Sequence, residues 1–416
     1  MNGLARFGAI GRALSNRNFC IYTAGNIPSV IGVWVQRVAV GWLTWELTES
    51  GAWLGLMGFA DLFPIVVCSP IAGLVADRYD RLAIAKVVQV VAAFQAVVLT
   101  VLYFAGLVTV EILFAFTLIA GTDQAFYQPV RQAMTPNLVR NEDLAAAIAI
   151  NSVAWHSARF IGPAIAGIIL VVSEPGYAFA FNAIAFSTFL IALWNIRITP
   201  EPPAARSPGG ALGDLMDGYR YAFSHPVIGP LYVILGTGAM FGRPVVELLP
   251  GFAAAVFGRS PDGLAWLTSA MGLGAVLGGI WLGNRGRISG LATLAVMALC
   301  GTAAFLLIFT YTAMFEIAVL CMTGIGFMYV VTGTTIQTMV QTVVEPQLRG
   351  RVLALYGMIW IGGASVGAVV MGTMSEWFGL RAPVAGGAVI VIVVWIWAMR
   401  VRRCVGKLVE DHAPEH

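Results

Sequence analysis

Apolar residues fill this chain in long blocks, and clusters of charge, glycine, proline and asparagine break the blocks at intervals. A bilayer core about 30 Å thick takes roughly 20 apolar residues per helix. At that length the pattern predicts twelve helices, at 19–46, 52–76, 82–105, 109–129, 144–172, 176–196, 227–257, 262–283, 289–310, 313–340, 351–378 and 381–400, numbered here as spans 1 to 12. Several runs exceed the minimum, which implies tilt or extension past the lipid. The longest polar stretch, 197–226, is rich in proline and glycine and then predicts a short surface helix from Leu212 to Phe223. It separates six spans from six. The expected organisation is an N-terminal half at 1–196, a cytoplasmic linker at 197–226, and a C-terminal half with a tail at 227–416.

Composition agrees with this reading. The chain is 59% apolar and only 11% charged, with a mean hydropathy of +0.83, whereas soluble domains average about 25% charged residues. So few charges do not cover a water-facing surface, so lipid is the expected solvent. Of the 24 Lys and Arg residues, all but five fall in segments that are cytoplasmic if the N-terminus is inside. The exceptions are Arg259 and Arg381 outside, and Arg37, Arg159 and Arg243 within spans. The positive-inside rule therefore places both ends in the cytoplasm, in an inner membrane. The net charge of +3 is not gathered on a basic face, so no nucleic-acid partner is expected. The N-terminal stretch is basic but lacks an apolar core with a cleavage site, and reads as no removable signal peptide. Five scattered cysteines show no metal or redox spacing, and no P-loop, zinc motif or nucleophile elbow is present. No cofactor, no metal site and no enzyme activity are expected, and nothing in the chain suggests more than a monomer.

The two halves repeat one another. At a shift of about 205 residues, Gly121 pairs with Gly326, Gln132 with Gln337, Met134 with Met339, Trp155 with Trp360, Gly162 with Gly367, and Gly167 with Gly372; one residue further, Arg37 pairs with Arg243. Two related halves place a cavity at their interface, near the midplane.

Charges inside spans are costly, roughly 2.5–3.5 kcal/mol at mid-helix, and point to a cavity or a partner. Arg37 and Asp61 lie at one depth, ~13 Å below the outer ends of spans 1 and 2 by helix rise. They are expected to face each other, as a gating pair or as a static ion pair. Arg243 and Glu247 are i and i+4, so they share a helix face and can satisfy one another. Alternatively Arg37 and Arg243, at one height on opposite halves, clamp an anionic substrate group with planar forks that never deprotonate. Proton carriers are then to be sought among carboxylates and His156. Asp123 lies near the inner end of span 4, with Arg131 as its expected basic partner. His156 and Arg159 are i and i+3 on span 5, and the histidine titrates in a useful range. Trp34, Trp155 and Trp360 lie deep and read either as a cavity wall for an amphipathic ligand or as packing.

Two motifs connect these residues to a known family. The loop after span 2, "GLVADRYDR", resembles the cytoplasmic signature of the major facilitator superfamily, G-x-x-x-D-R-x-G-R-[RK]. Gly73, Asp77, Arg78 and Arg81 match; Asp80 replaces the second glycine and Leu82 the final basic residue. Glycine there permits close helix approach, and the charges form a network that is remade as the halves rock. In span 5, "ARFIGPAIAG" resembles the antiporter motif G-x-x-x-G-P-x-x-G-G, with Gly162, Pro163 and Gly167 matching and Ala158 and Ala166 standing in for glycines. Small residues there make a flat packing face, and proline frees a carbonyl and bends the helix. Gly32–Ser50 and Met134–Ser152 look like the enterobactin-exporter-like and macrolide-efflux-like subfamily, so the resemblance spans the chain.

The resemblance implies an all-α membrane protein of the major facilitator fold, with twelve transmembrane helices in two pseudo-symmetric six-helix halves. It implies proton-coupled efflux of a small amphipathic or anionic compound, a siderophore or drug, by alternating access. A nutrient symporter or facilitator, a lysophospholipid transporter and a non-transporting membrane sensor stay open as alternatives. Many relatives carry an arginine in span 4 for proton transfer; here Thr117 stands in its place. Arg159, which has Ala364 as its repeat partner, is the leading candidate for the missing cavity cation.

Overall fold

The computed structural model describes residues 8–197, 211–287 and 289–411, without the side chains of residues 74, 77, 78, 211–215 and 411. Among these residues the chain is helical and holds no strand. A short helix, Gly8–Ser15, precedes span 1 at Arg17–Thr48. Span 2 is Gly51–Arg78, span 3 Arg81–Phe104, span 4 Val110–Met134, span 5 Leu144–Val172 and span 6 Pro175–Asn195. A surface helix, Ala211–Ser224, occupies the place the sequence predicts for one. Span 8 is Pro261–Arg285, span 9 Leu291–Tyr311, span 10 Phe315–Val343, span 11 Arg349–Phe378 and span 12 Arg381–Asp411.

Eleven helices among the described residues are long and apolar enough to cross a membrane. Span 4 is the twelfth expected one, a helix of 25 residues. Its C-terminal half carries Asp123, Gln124, Gln128, Arg131 and Gln132, which lowers its hydropathy below that of its neighbours. Span 7 is the irregular one. It runs as Ile228–Thr237, a π-helical turn at Gly238–Gly242, Val245–Gly251, and a second π turn at Phe252–Val256. Pro244 and Pro250 remove backbone donors there, and π turns absorb the resulting mismatch in the hydrogen-bond ladder.

Burial shows which solvent the helices meet. On span 3 the exposed residues are Val87, Val90, Val91, Phe94, Val97 and Val101, whereas the buried face holds Ala85, Gln89, Ala92, Ala93 and Ala96. Most of the outward residues are bulky and apolar, and most of the inward ones are small or polar, with Leu82, Val88 and Leu99 the bulky residues inside. Only lipid makes such a face stable, because small inner residues let helices pack closely where water supplies no driving force. Gln89 and Gln95 are satisfied inside, donating to the carbonyls of Phe186 and Phe116 at 3.0 and 2.9 Å.

The chain packs as two compact units. The first is Met1–Thr48, Val67–Arg206 and Ser260–Ser269; the second is Glu49–Val66, Ser207–Arg259 and Ala270–His416. The N-terminal part of span 2 thus belongs to the unit holding most of the C-terminal sequence, and the N-terminal part of span 8 to the other. Within the first unit, Phe19, Tyr22, Tyr127 and Phe189 anchor an apolar core, with Tyr22 and Phe189 edge to face at 5.6 Å. The Tyr127 hydroxyl donates to Asn26 Oδ1 at 2.6 Å, and Asn182 donates to Gln36 across spans 6 and 1. Within the second unit, Tyr232 of span 7 donates to the Val352 carbonyl of span 11 at 2.6 Å. Arg351 Nη1 sits 3.4 Å from Asp217 Oδ2 and ties the surface helix to span 11.

Candidate functional site

The antiporter-like stripe of span 5 sets the geometry of the first unit. Ala158, Gly162 and Ala166 are buried along one face of the helix. A Cβ on Gly162 would collide with the Cβ of Trp34, so glycine is what brings spans 5 and 1 into backbone contact. Arg159 lies one turn before Gly162 and reaches the same indole. Its guanidinium carbon is 5.7 Å from the Trp34 ring centroid, and that of Arg37 is 4.8 Å from it. One indole therefore meets two guanidinium groups, and its buried Nε1–H has no acceptor among the described residues. Each cation–π contact is worth ~0.5–2 kcal/mol depending on desolvation. Pro163 leaves the helix continuous from Leu144 to Val172. It removes the donor for the Arg159 carbonyl, and Ser269 of span 8 donates to the adjacent carbonyl of Phe160 at 3.4 Å.

The second unit carries the repeat of this arrangement with different chemistry. A Cβ on Gly367 would strike the Met240 carbonyl and Pro244 of span 7. Gly367 and Met240 are the repeat partners of Gly162 and Trp34, so the same helix contact recurs. Arg243 follows the first π turn, its amide donating to the Gly238 carbonyl at 3.0 Å. Its Nη1 lies 3.4 Å from Glu247 Oε1, with both side chains nearly buried. The pair allowed by the i, i+4 spacing is formed. Span 2 covers it, because a Cβ on Gly58 would meet the Glu247 side chain and Ala368. Asp61, one turn further along span 2, belongs to this same unit.

The second motif glycine of each half makes a contact near the C-terminal end of its helix. A Cβ on Gly167 would overlap Ala265 of span 8, and one on Gly372 would overlap the Gly51 carbonyl and Gly55 of span 2. On span 11, Glu376 Oε1 accepts from Ser50 Oγ at 2.8 Å and from the Ala52 amide at 2.9 Å. The carboxylate thereby caps the N-terminus of span 2, where the helix dipole favours negative charge.

The cytoplasmic signature reads differently from expectation at one position. Asp80, the departure from glycine, caps span 3 by accepting from the Leu82 amide at 3.0 Å. At Gly73 no described atom lies within 4 Å of where a Cβ would sit. Arg81 Nη1 donates to the Ala133 carbonyl at 3.0 Å, at the C-terminal end of span 4. The side chains of Asp77 and Arg78 lie outside the described ones.

Asp123 opens onto a mostly apolar cavity of about 570 Å³ between spans 2, 3 and 4, with Tyr79, Val87, Val91, Ile119 and Phe126 in its wall. The expected Asp123–Arg131 pairing is not formed. The two are eight residues apart, about 12 Å along the helix, and Arg131 Nη2 instead donates to Gln128 Oε1 at 3.2 Å. The Arg131 guanidinium lies over Trp155 at 4.9 Å. Trp360, the repeat partner of Trp155, sits between Tyr329 and Tyr356 at 4.2 and 6.3 Å. His156 is exposed on span 5. Asp143, at the start of span 5, was not singled out from sequence. It is buried, with Arg12 Nε at 3.1 Å and Arg140 Nη2 at 3.8 Å, and its position before an apolar run is the signal that could have found it.

Comparison with known proteins places this geometry. Residues 12–415 match the family described as transmembrane secretion effector. The chain is 24% identical over 358 residues to the staphyloferrin A transporter of Staphylococcus aureus, covering 84% of this chain and 87% of that one. It is 25% identical over 377 residues to the enterobactin exporter EntS of Escherichia coli, covering 89% and 86%. The fold is similar to that of the nucleoside transporter NupG, with a TM-score of 0.74 at 13% identity, over 92% of this chain and 100% of that one.

Proposed function

The chain belongs to the transmembrane secretion effector family of the major facilitator superfamily, and from that premise we propose that it exports a small organic anion by proton antiport. It is a multi-pass membrane transporter and not an enzyme. The observation that carries the anionic cargo is Trp34 set against Arg37 and Arg159. Two permanent cations around one indole, within a membrane-spanning part of the chain, favour an amphipathic ligand with negative charge. In the second half Arg243 is matched by Glu247 on its own helix.

Arginine holds its proton at any physiological pH, so coupling falls to Asp61, Asp123, Glu247 or His156. Asp123 suits the role best: it opens onto an apolar cavity, and no hydrogen bond or ion pair holds it among the described residues. Gly73, Asp77, Arg78 and Arg81 act at the inner ends of the helices, where the charge network is remade as access alternates. Trp34 and Trp155 wall the substrate path, while Trp360 stacks between tyrosines. The protein works as a monomer in the inner membrane, with both ends in the cytoplasm as the basic residues require. The cargo is of the siderophore class named for its relatives.

The test uses cells that make enterobactin or staphyloferrin A and lack their own exporter. Production of this protein restores secretion of one of them, and a protonophore stops it. Secretion that stays absent for both, or that continues after the proton gradient collapses, contradicts the proposal.

A further inference from the structure

A second polar cavity, of about 390 Å³, lies at the inner ends of spans 4 and 5, wholly within the first unit. Arg131, Gln132, Thr135, Asn151 and Ser152 supply its polar lining. Among the described residues no carboxylate lines it and Arg131 has no acidic partner. Its one side-chain hydrogen bond goes to Gln128, its Nε–H is buried without an acceptor, and Trp155 holds the flat face of the guanidinium. The fork is thus held by stacking, while no described carboxylate compensates its charge. Such a cation at the edge of a low-dielectric region is stabilised by an anion.

Asn151 adds a requirement of its own. The Thr135 hydroxyl donates to the Arg131 carbonyl at 2.9 Å, so its oxygen is free to accept. Asn151 Nδ2 donates to that oxygen at 3.2 Å, which fixes the orientation of the amide. Asn151 Oδ1 is then left buried with no donor, on a residue 8% exposed. A buried acceptor without a donor is unfavourable, and a ligand hydroxyl removes that penalty.

We infer that this cavity recognises an oxyanion bearing a nearby hydroxyl, the chemistry of a small hydroxycarboxylic acid, and takes up that end of the substrate from the cytoplasmic side. Arg131 receives the carboxylate, Asn151 Oδ1 accepts from the hydroxyl, and the exposed Ser152 hydroxyl is free to turn to either. The assignment rests on the export reading for its direction but not for its binding step. A phosphatidylglycerol headgroup also offers an oxyanion with hydroxyls, so the test separates the two sources.

The full-length protein in phosphatidylcholine nanodiscs is titrated with citrate and with tricarballylate, which lacks only the hydroxyl, and binding is read by calorimetry and by tryptophan fluorescence. Citrate binds about tenfold more tightly than tricarballylate, the value of one hydrogen bond. Arg131→Gln weakens both by at least about tenfold. Arg131→Lys recovers part of the loss, since charge without the fork is an imperfect replacement. Asn151→Ala makes the two acids bind alike. A shared thermal transition establishes that each variant is folded. Absence of citrate binding, equal binding of both acids to the unaltered protein, or citrate binding that survives Arg131→Gln overturns the inference. So does occupancy by phosphatidylglycerol alone, introduced in a second set of nanodiscs. Citrate binding with the expected Arg131 and Asn151 dependence, in a protein that fails to export, upholds the site and rejects the export reading instead.

Discussion

Arg159→Ala is expected to abolish coupled export while the protein still inserts at normal levels. Arg159 sits on a continuous helix beside Gly162, so alanine disturbs neither the helix nor its contact with span 1. What is lost is one of the two guanidiniums that meet Trp34. A charged, bidentate contact to a desolvated anion is worth ~3 kcal/mol, or about 100-fold in binding. Arg159→Lys keeps the charge without the planar fork and restores only part of the rate. Export and membrane content are measured together in the same cells. Wild-type export by Arg159→Ala contradicts the role, as does full rescue by Arg159→Met, which would mean that Arg159 only packs on Trp34.

The second large effect is at the C-terminal end of span 11. Gly372→Leu drives a branched side chain into the Gly51 carbonyl and Gly55, where even a Cβ has no room. Overpacking costs ~1–3 kcal/mol, enough to shift a marginal helix contact by about 10- to 100-fold. The cap that Glu376 places on Ser50 and Ala52 is pulled away with it. Export is expected to fall at least about tenfold. Cysteines placed at Ser50 and Glu376 join readily under mild oxidation in the otherwise unaltered protein and slowly when Gly372→Leu is present. Unchanged cross-linking in the leucine variant would show that the contact tolerates the bulk.

Much of this arrangement is legible along the chain because lipid imposes a simple rule. Each span must be apolar for its length and must satisfy its own backbone, so most of the blocks translate into helices with small shifts at their ends, while span 12 runs on from the predicted 400 to Asp411. The repeat was legible too, and it reaches beyond sequence: Gly162 on Trp34 and Gly367 on Met240 are one contact made twice. Local pattern was less informative where tertiary packing decides. The π turns of span 7 answer to prolines and neighbours rather than to hydrophobic period. That the N-terminal parts of spans 2 and 8 join the units they do leaves no mark in either span's composition. Asp80 looked like a lost glycine and is a helix cap. Arg131 looked like a partner for Asp123, because both stand near one end of one span. Two turns of helix separate them, and an aromatic ring and a glutamine claim the cation first.

The central claim is that an organic anion leaves the cytoplasm in exchange for protons. Inverted membrane vesicles containing the protein test it most directly. Their lumen corresponds to the outside of the cell and can be acidified before substrate is added. The account predicts that labelled enterobactin or staphyloferrin A accumulates in the acid lumen and that its arrival discharges the pH gradient. Substrate that is excluded from an acid lumen, or that enters without moving protons, contradicts it.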